Sequence, residues 1–240
     1  MSFRDQHWWI IGASEGLGRA LAEALAAEGA RLTLSARSLP RLEALCADLP
    51  RATPLALDVT DVAQVAEATR AVGDVDGLIY CAGFYEPMTA QDWEPEAAEA
   101  MCDVNFMGAM RVLGRMVPAM AQRGRGRIAL IGSLAGYTGL PGAIGYGASK
   151  AALMHLGQCL HRDLQGSGVT VQVINPGFIR TRLTAKNEFK MPMIQTPEEA
   201  AAACLKALRS GRFQTAFPAP FSWVFRLAAH LPRAWVSRLI

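Results

Sequence analysis

Short apolar runs alternate with longer amphipathic stretches along almost the whole chain. Residues 7–11, 31–36, 53–57, 77–81, 127–132 and 169–174 read as buried strands, with 213–217 as a last one. Between them, residues 17–27, 39–47, 62–71, 96–122, 147–165 and 197–210 carry apolar side chains at helical spacing over helical lengths. Strands and helices in strict alternation call for right-handed βαβ crossovers, and hence for a parallel sheet covered by helices on both faces. No internal repeat, linker or low-complexity tract divides the pattern. The expected fold is a single α/β domain built on a doubly wound parallel sheet.

In such a sheet a ligand binds beyond the carboxyl ends of the strands, near the switch in strand order. The loops after the strands are therefore where chemistry is expected. The first strand runs into Gly12-Ala13-Ser14-Glu15-Gly16-Leu17-Gly18 before a helix begins. Glycines allow a tight turn and let backbone N–H groups approach a pyrophosphate, which a helix N-terminus stabilises. The spacing is GxxxGxG, not GxGxxG, and alone it is a weak signal. After the second strand, Ala36 stands where a carboxylate would accept the adenosine ribose hydroxyls, and Arg37 and Ser38 follow. A guanidinium and a hydroxyl suit a 2′-phosphate, so NADP(H) is expected over NAD(H). The alternative is that Arg37 is merely a solvated surface residue.

Tyr146 and Lys150 lie four residues apart, on one face of a predicted helix. A nearby ammonium stabilises a phenolate and lowers the tyrosine pKa towards the range useful for proton transfer. By itself this pair is a common coincidence. Together with the glycine turn and the features that follow, the chain from about 8 to 207 resembles the compact branch of the short-chain dehydrogenase/reductase family. Gly12, Gly16 and Gly18 match that family's cofactor glycines, with Ser14, Glu15 and Leu17 completing the turn. Asp58, followed by Val59, resembles its adenine-contacting aspartate, and Ala82-Gly83 the end of its Asn-Asn-Ala-Gly motif. Asn105, Ser133, Tyr146 and Lys150 fall where the family has its catalytic tetrad. Pro176, Gly177, Ile179 and Thr181 match the PGxxxT segment that closes over the nicotinamide.

The resemblance implies a Rossmann-like NADP(H)-binding catalytic domain over residues 1–211. Residues 212–240 would add the last strand and a basic amphipathic tail to the same domain. It implies that Ser133 holds the substrate oxygen, Tyr146 passes it a proton, and Lys150 binds the nicotinamide ribose and tunes Tyr146. Asn105 would hold a water that links Lys150 to solvent. The expected activity is interconversion of a small-molecule carbonyl and an alcohol, in a homodimer or homotetramer. Three positions depart from the pattern: Cys81 replaces an asparagine, Ile11 a threonine, and Gly132 a serine that often precedes the catalytic one. The first two put stability in doubt more than chemistry, and Gly132 is expected to matter little. Glu15 speaks mildly against NADP(H), since some NADP(H) enzymes of the family carry a basic residue there.

Composition excludes more than it adds. A net charge of +3 without a Lys/Arg run leaves no nucleic-acid footprint. Five dispersed cysteines without a CxxC pair argue against a disulfide framework or a zinc site, so no metal is expected and a reduced, cytoplasmic setting is. No apolar stretch at the N-terminus reads as a signal core, and none elsewhere is long enough to span a bilayer. Residues 182–196 should form a substrate lid, and their Leu, Phe and Met side chains suggest an apolar or lipid-like substrate. Past Glu199 the chain has no acidic residue but six basic ones, and 222–240 interleaves Trp, Phe and Leu with Arg. That segment suits a subunit contact, a pocket wall, or an anionic membrane surface. Two competing readings stand beside the enzyme: a catalytically silent NADP(H)-binding regulator and a membrane-peripheral lipid-handling protein.

Overall fold

The computed structural model describes residues 2–187 and 189–228. Seven strands form one parallel sheet: β1 His7–Ile11, β2 Arg31–Ala36, β3 Ala52–Ala56, β4 Gly77–Tyr80, β5 Gly126–Ile131, β6 Val169–Pro176 and β7 Gln214–Phe217. Their order is β3-β2-β1-β4-β5-β6-β7. The chain builds outward from β1 to β3, then returns to lay β4 on the other side of β1. The switch point is thus the gap beyond β1 and β4, as a doubly wound single domain requires.

Every residue of β1 is buried, and alternate side chains enter different cores. Trp8 and Ile10 pack beneath α1 Gly16–Ala27, α2 Leu39–Ala47 and α7 Pro197–Ser210. Trp9 and Ile11 face the side covered by α3 Val62–Val72, α5 Gly108–Gln122 and α6 Ile144–Asp163. Period-2 alternation with apolar residues on both faces is the signature of a central strand in a doubly covered sheet. The two indoles fit because their N–H groups are satisfied, Trp8 by Gln6 Oε1 at 3.1 Å and Trp9 by Ser35 Oγ at 2.9 Å.

The pattern predicts a single helix over 96–122. The structure instead has α4 Pro95–Cys102, a π-helical turn Asp103–Met107, and then α5. The wider turn frees the Val104 carbonyl, which accepts a 2.6 Å hydrogen bond from the buried Tyr80 hydroxyl. Hydrophobic spacing cannot show such an insertion, because the apolar stripe continues on both sides of it. The expected last strand forms as β7, and the amphipathic segment after it begins as α8 Phe221–Ala228. Its expected continuation through Trp235, Val236, Leu239 and Ile240 lies outside the described residues.

Candidate active site

The glycine turn is shaped by two close approaches. Gly12 has φ +90°, and a Cβ there would stand 2.5 Å from the Ala82 nitrogen. A Cβ on Gly18 would stand 1.9 Å from the Gly12 carbonyl oxygen. Only hydrogens fit, so the turn between β1 and α1 is drawn tight against the loop after β4. The Glu15 side chain makes no capping hydrogen bond to α1, leaving the first-turn amides to an outside acceptor.

From this turn one continuous cleft of about 1680 Å³ runs along the carboxyl ends of the strands. Gly12, Ser14, Glu15, Gly16, Leu17 and Gly18 line its middle, with Ala82 and Gly83 opposite. Arg37, Ser38, Asp58 and Val59 line one end. Ser133, Tyr146 and Lys150 lie towards the other, beside Pro176, Gly177, Ile179 and Thr181. Asn105 is the exception among the sequence-derived candidates: it is wholly buried and does not line the cleft.

Ser133 follows β5, while Tyr146 and Lys150 sit on α6, which begins at Ile144, three residues before the predicted start. Tyr146 is therefore within the first turn of that helix. The Lys150 ammonium donates to the Ile131 carbonyl at 2.9 Å and lies 5.7 Å from the centroid of the Tyr146 ring. Asn105, on the π-helical turn, accepts from Phe84 N at 2.7 Å and donates to Phe84 O at 3.0 Å. Its amide also donates to Ser149 Oγ at 2.9 Å, and Ser149 in turn donates to the Tyr146 carbonyl at 2.9 Å. A chain of hydrogen bonds thus ties the loop after β4 to the helix that presents Tyr146.

The expectation that Lys150 lowers the Tyr146 pKa meets a stronger effect. Burial pushes Tyr146 up to about 12, and the neighbouring Ser133 hydroxyl pulls in the opposite direction. Burial also brings Lys150 down, from its ordinary 10.5 to about 8, against the raising influence of Cys81. Desolvation disfavours both charged forms, so the tyrosine is held as a protonated acid. The departure at position 81 matters to this balance. Cys81 is itself pushed up to about 11 by burial, and it is one of the groups that raise Tyr146.

Gly132 is less neutral than its sequence context suggests. A Cβ there would stand 2.0 Å from Asn175 Oδ1, whose Nδ2 donates to the Tyr137 hydroxyl at 3.0 Å. The Asn175 amide occupies the space that a serine side chain would need.

Beyond Tyr146 the cleft becomes aromatic. Phe178 packs on Phe189 and Phe221, with centroids 5.7 and 5.9 Å apart, and Phe221 packs on Phe225 at 5.0 Å. Tyr85 stands edge-on to Tyr146 at 5.1 Å. The loop that begins at Thr181 is anchored at its base, where Arg180 N donates to Gln195 O at 2.8 Å and Gln195 N to Phe178 O at 3.0 Å. Its outer part is tied across the cleft by Asn187, which accepts from the Tyr85 hydroxyl at 2.8 Å, and by a Lys186–Glu86 ion pair. Sequence reasoning did not single out Ser149, Tyr85, Arg41 or Arg182. Ser149, three residues after Tyr146, offered a faint signal; the other three are recognisable only once distant segments are side by side.

The cleft fits a dinucleotide: a backbone-lined middle that side chains would fill, a basic end, and a tyrosine–lysine end. Comparison with known proteins agrees. Residues 6–192 match the family model described as short chain dehydrogenase. An uncharacterized oxidoreductase of Myxococcus xanthus is 36% identical over 97% of this chain and 94% of its own length. The 3-oxoacyl-(acyl-carrier-protein) reductase of Escherichia coli is 33% identical over 77% of this chain and 78% of its own. A crystal structure of a short chain dehydrogenase from Burkholderia cenocepacia in complex with NADP superposes with a TM-score of 0.90. It is 29% identical and covers 100% of this chain and 99% of that one. This chain belongs to the short-chain dehydrogenase/reductase family, oxidoreductases that act on small molecules with a nicotinamide cofactor.

Proposed function

We propose that the chain is an NADP(H)-preferring reductase that interconverts a carbonyl and an alcohol on an apolar, lipid-like substrate. The observation that carries this reading is the placement of Tyr146 with Ser133 and Lys150 on the lining of one cleft, where it turns from polar to aromatic. A substrate carbonyl set against these two hydroxyls meets donors already oriented and desolvated, the arrangement that best stabilises developing negative charge. Tyr146 delivers the proton to that oxygen, and Ser133 holds the oxygen as charge grows. Lys150, fixed by Ile131, lies beside Tyr146 to support the returning phenolate. Asn105 is a positioning residue, holding Phe84 and, through Ser149, the turn that carries Tyr146. A bound nicotinamide dinucleotide would supply the hydride, with Gly12, Gly16 and Gly18 holding its phosphates along the glycine turn.

Arg37 and Ser38 at the basic end, with Ala36 in place of a carboxylate, support the choice of NADP(H). The neighbour in complex with NADP points the same way, and the relative named as a 3-oxoacyl-(acyl-carrier-protein) reductase supports a ketone on an acyl chain as the substrate. The aromatic run Phe178–Phe221–Phe225 supports an apolar chain on the substrate, with α8 as part of the wall. The test is consumption of NADPH with 3-oxoacyl thioesters and medium-chain ketones by the wild-type protein and by Tyr146→Phe. The variant should lose about 10²-fold or more of kcat/KM while still binding NADPH. Near-wild-type turnover by Tyr146→Phe would remove the mechanism.

A further inference from the structure

Glu15, in the glycine turn, bridges two arginines from separate walls of the cleft. Its Oε2 meets Arg41 NH1 at 3.2 Å, and its Oε1 meets Arg182 NH2 at 2.6 Å and Nε at 3.1 Å. Arg41 lies on the first turn of α2, three residues after Ser38, and lines the same end of the cleft as Arg37. Arg182 opens the loop that covers the reactive end, one residue after Thr181. A single carboxylate therefore links the phosphate-binding turn, the basic end and the lid.

The three side chains are all well exposed, at 40% for Glu15, 58% for Arg41 and 68% for Arg182. Exposed ion pairs are weak and screened by water, so a doubly charged phosphate can displace one of them. The two bonds are also unequal. Arg182 engages through two nitrogens and Arg41 through one, so Arg41 is the one given up first.

We propose that Glu15 is an internal competitor for the cofactor's 2′-phosphate, which draws Arg41 off Glu15 and leaves Arg182 as the carboxylate's sole cation. The chain would then recognise the 2′-phosphate through Arg41 as well as Arg37. The same exchange transmits occupation of the adenosine end to the lid, through Arg182. NADP(H) therefore tightens the lid in a way NAD(H) does not. This inference rests on the NADP(H) reading of Arg37.

The test is direct binding of NADPH and NADH, followed by calorimetry, to the wild-type protein, Glu15→Gln, Arg41→Gln and the double variant. Glu15→Gln should tighten NADPH binding about threefold or more and change NADH binding less than twofold. In the Arg41→Gln background that gain should vanish, because Glu15 then has no Arg41 to withhold. With NADPH saturating, Arg182→Gln should raise the KM of the carbonyl substrate severalfold, and more than it does with NADH. The proposal is overturned if Glu15→Gln shifts both cofactors alike, if its gain persists without Arg41, or if Arg182→Gln leaves KM unchanged. Failure of the underlying reading looks different: Arg37→Asp would then leave the NADPH/NADH ratio as it was. A ratio that falls in Arg37→Asp, with independent Glu15 and Arg41 effects, removes this inference alone.

Discussion

Asn105 grips the backbone of Phe84 at both its N–H and its carbonyl, with bonds of 2.7 and 3.0 Å. A side-chain amide paired in this way replaces a strand neighbour for a loop that has none. Because Phe84 follows Gly83 and precedes Tyr85, the grip sets the wall against which Tyr146 stands. Asn105→Ala would leave both Phe84 groups without partners and would release Ser149. Each unsatisfied buried group costs about 1–3 kcal/mol, so a clear fall in Tm is expected. Asn105→Asp, which keeps the acceptor for Phe84 N–H, should be the milder variant by thermal unfolding. Equal stability of Asn105→Ala and the wild type would refute the grip.

The buried Lys150 gives a pH signature. Its pKa falls from 10.5 in the unfolded chain to about 8 in the folded protein. Between those values the unfolded state binds more protons, so stability rises with pH from about 8 upward, by at most about 1.4 kcal/mol per unit. Tyr146 acts in the opposite sense, since its pKa rises from 10.0 to about 12. Above pH 10 the folded state holds the extra proton, and the gain is reversed. Urea unfolding of the cofactor-free protein between pH 8 and 10 should show the rise, and Lys150→Met should flatten it. A slope that survives in Lys150→Met would assign it to other groups.

Gly132 makes room for the Asn175 amide. Gly132→Ala would force a Cβ into a gap where it stands 2.0 Å from Asn175 Oδ1. Overpacking of this kind costs about 1–3 kcal/mol. The expected outcome is a lower Tm together with reduced activity, because Ser133 is the next residue. Gly132→Ala paired with Asn175→Ser should recover part of the loss; no recovery would mean that the strain lies elsewhere.

Arg37 is the proposed 2′-phosphate partner. Arg37→Asp places a carboxylate at the basic end, where it repels a phosphate and accepts ribose hydroxyls. The ratio of kcat/KM with NADPH to that with NADH should drop at least tenfold, mostly through the KM for NADPH.

Hydrophobic periodicity and glycine spacing by themselves determined the βα alternation, the parallel sheet and the glycine turn, and resemblance to the family's motifs picked out the Ser133, Tyr146 and Lys150 positions. These are local properties: strand burial is written in contiguous apolar residues, and a turn that needs glycine shows it at that position. The π-helical turn at Asp103–Met107 was invisible, because an inserted residue leaves the apolar stripe on either side intact. The role of Gly132 depended on Asn175, which only the β5–β6 pairing brings next to it. Likewise the pairing of Glu15 with Arg41 and Arg182 depends on three segments that only the tertiary structure brings together. The burial of Tyr146 was also not legible in the sequence. A lysine four residues away suggested a lowered pKa, but burial, which depends on the packing of the whole cleft wall, is the larger effect. Tertiary structure decided whatever depends on distance between remote segments, because hydrogen bonding, charge pairing and desolvation act through space and not along the chain.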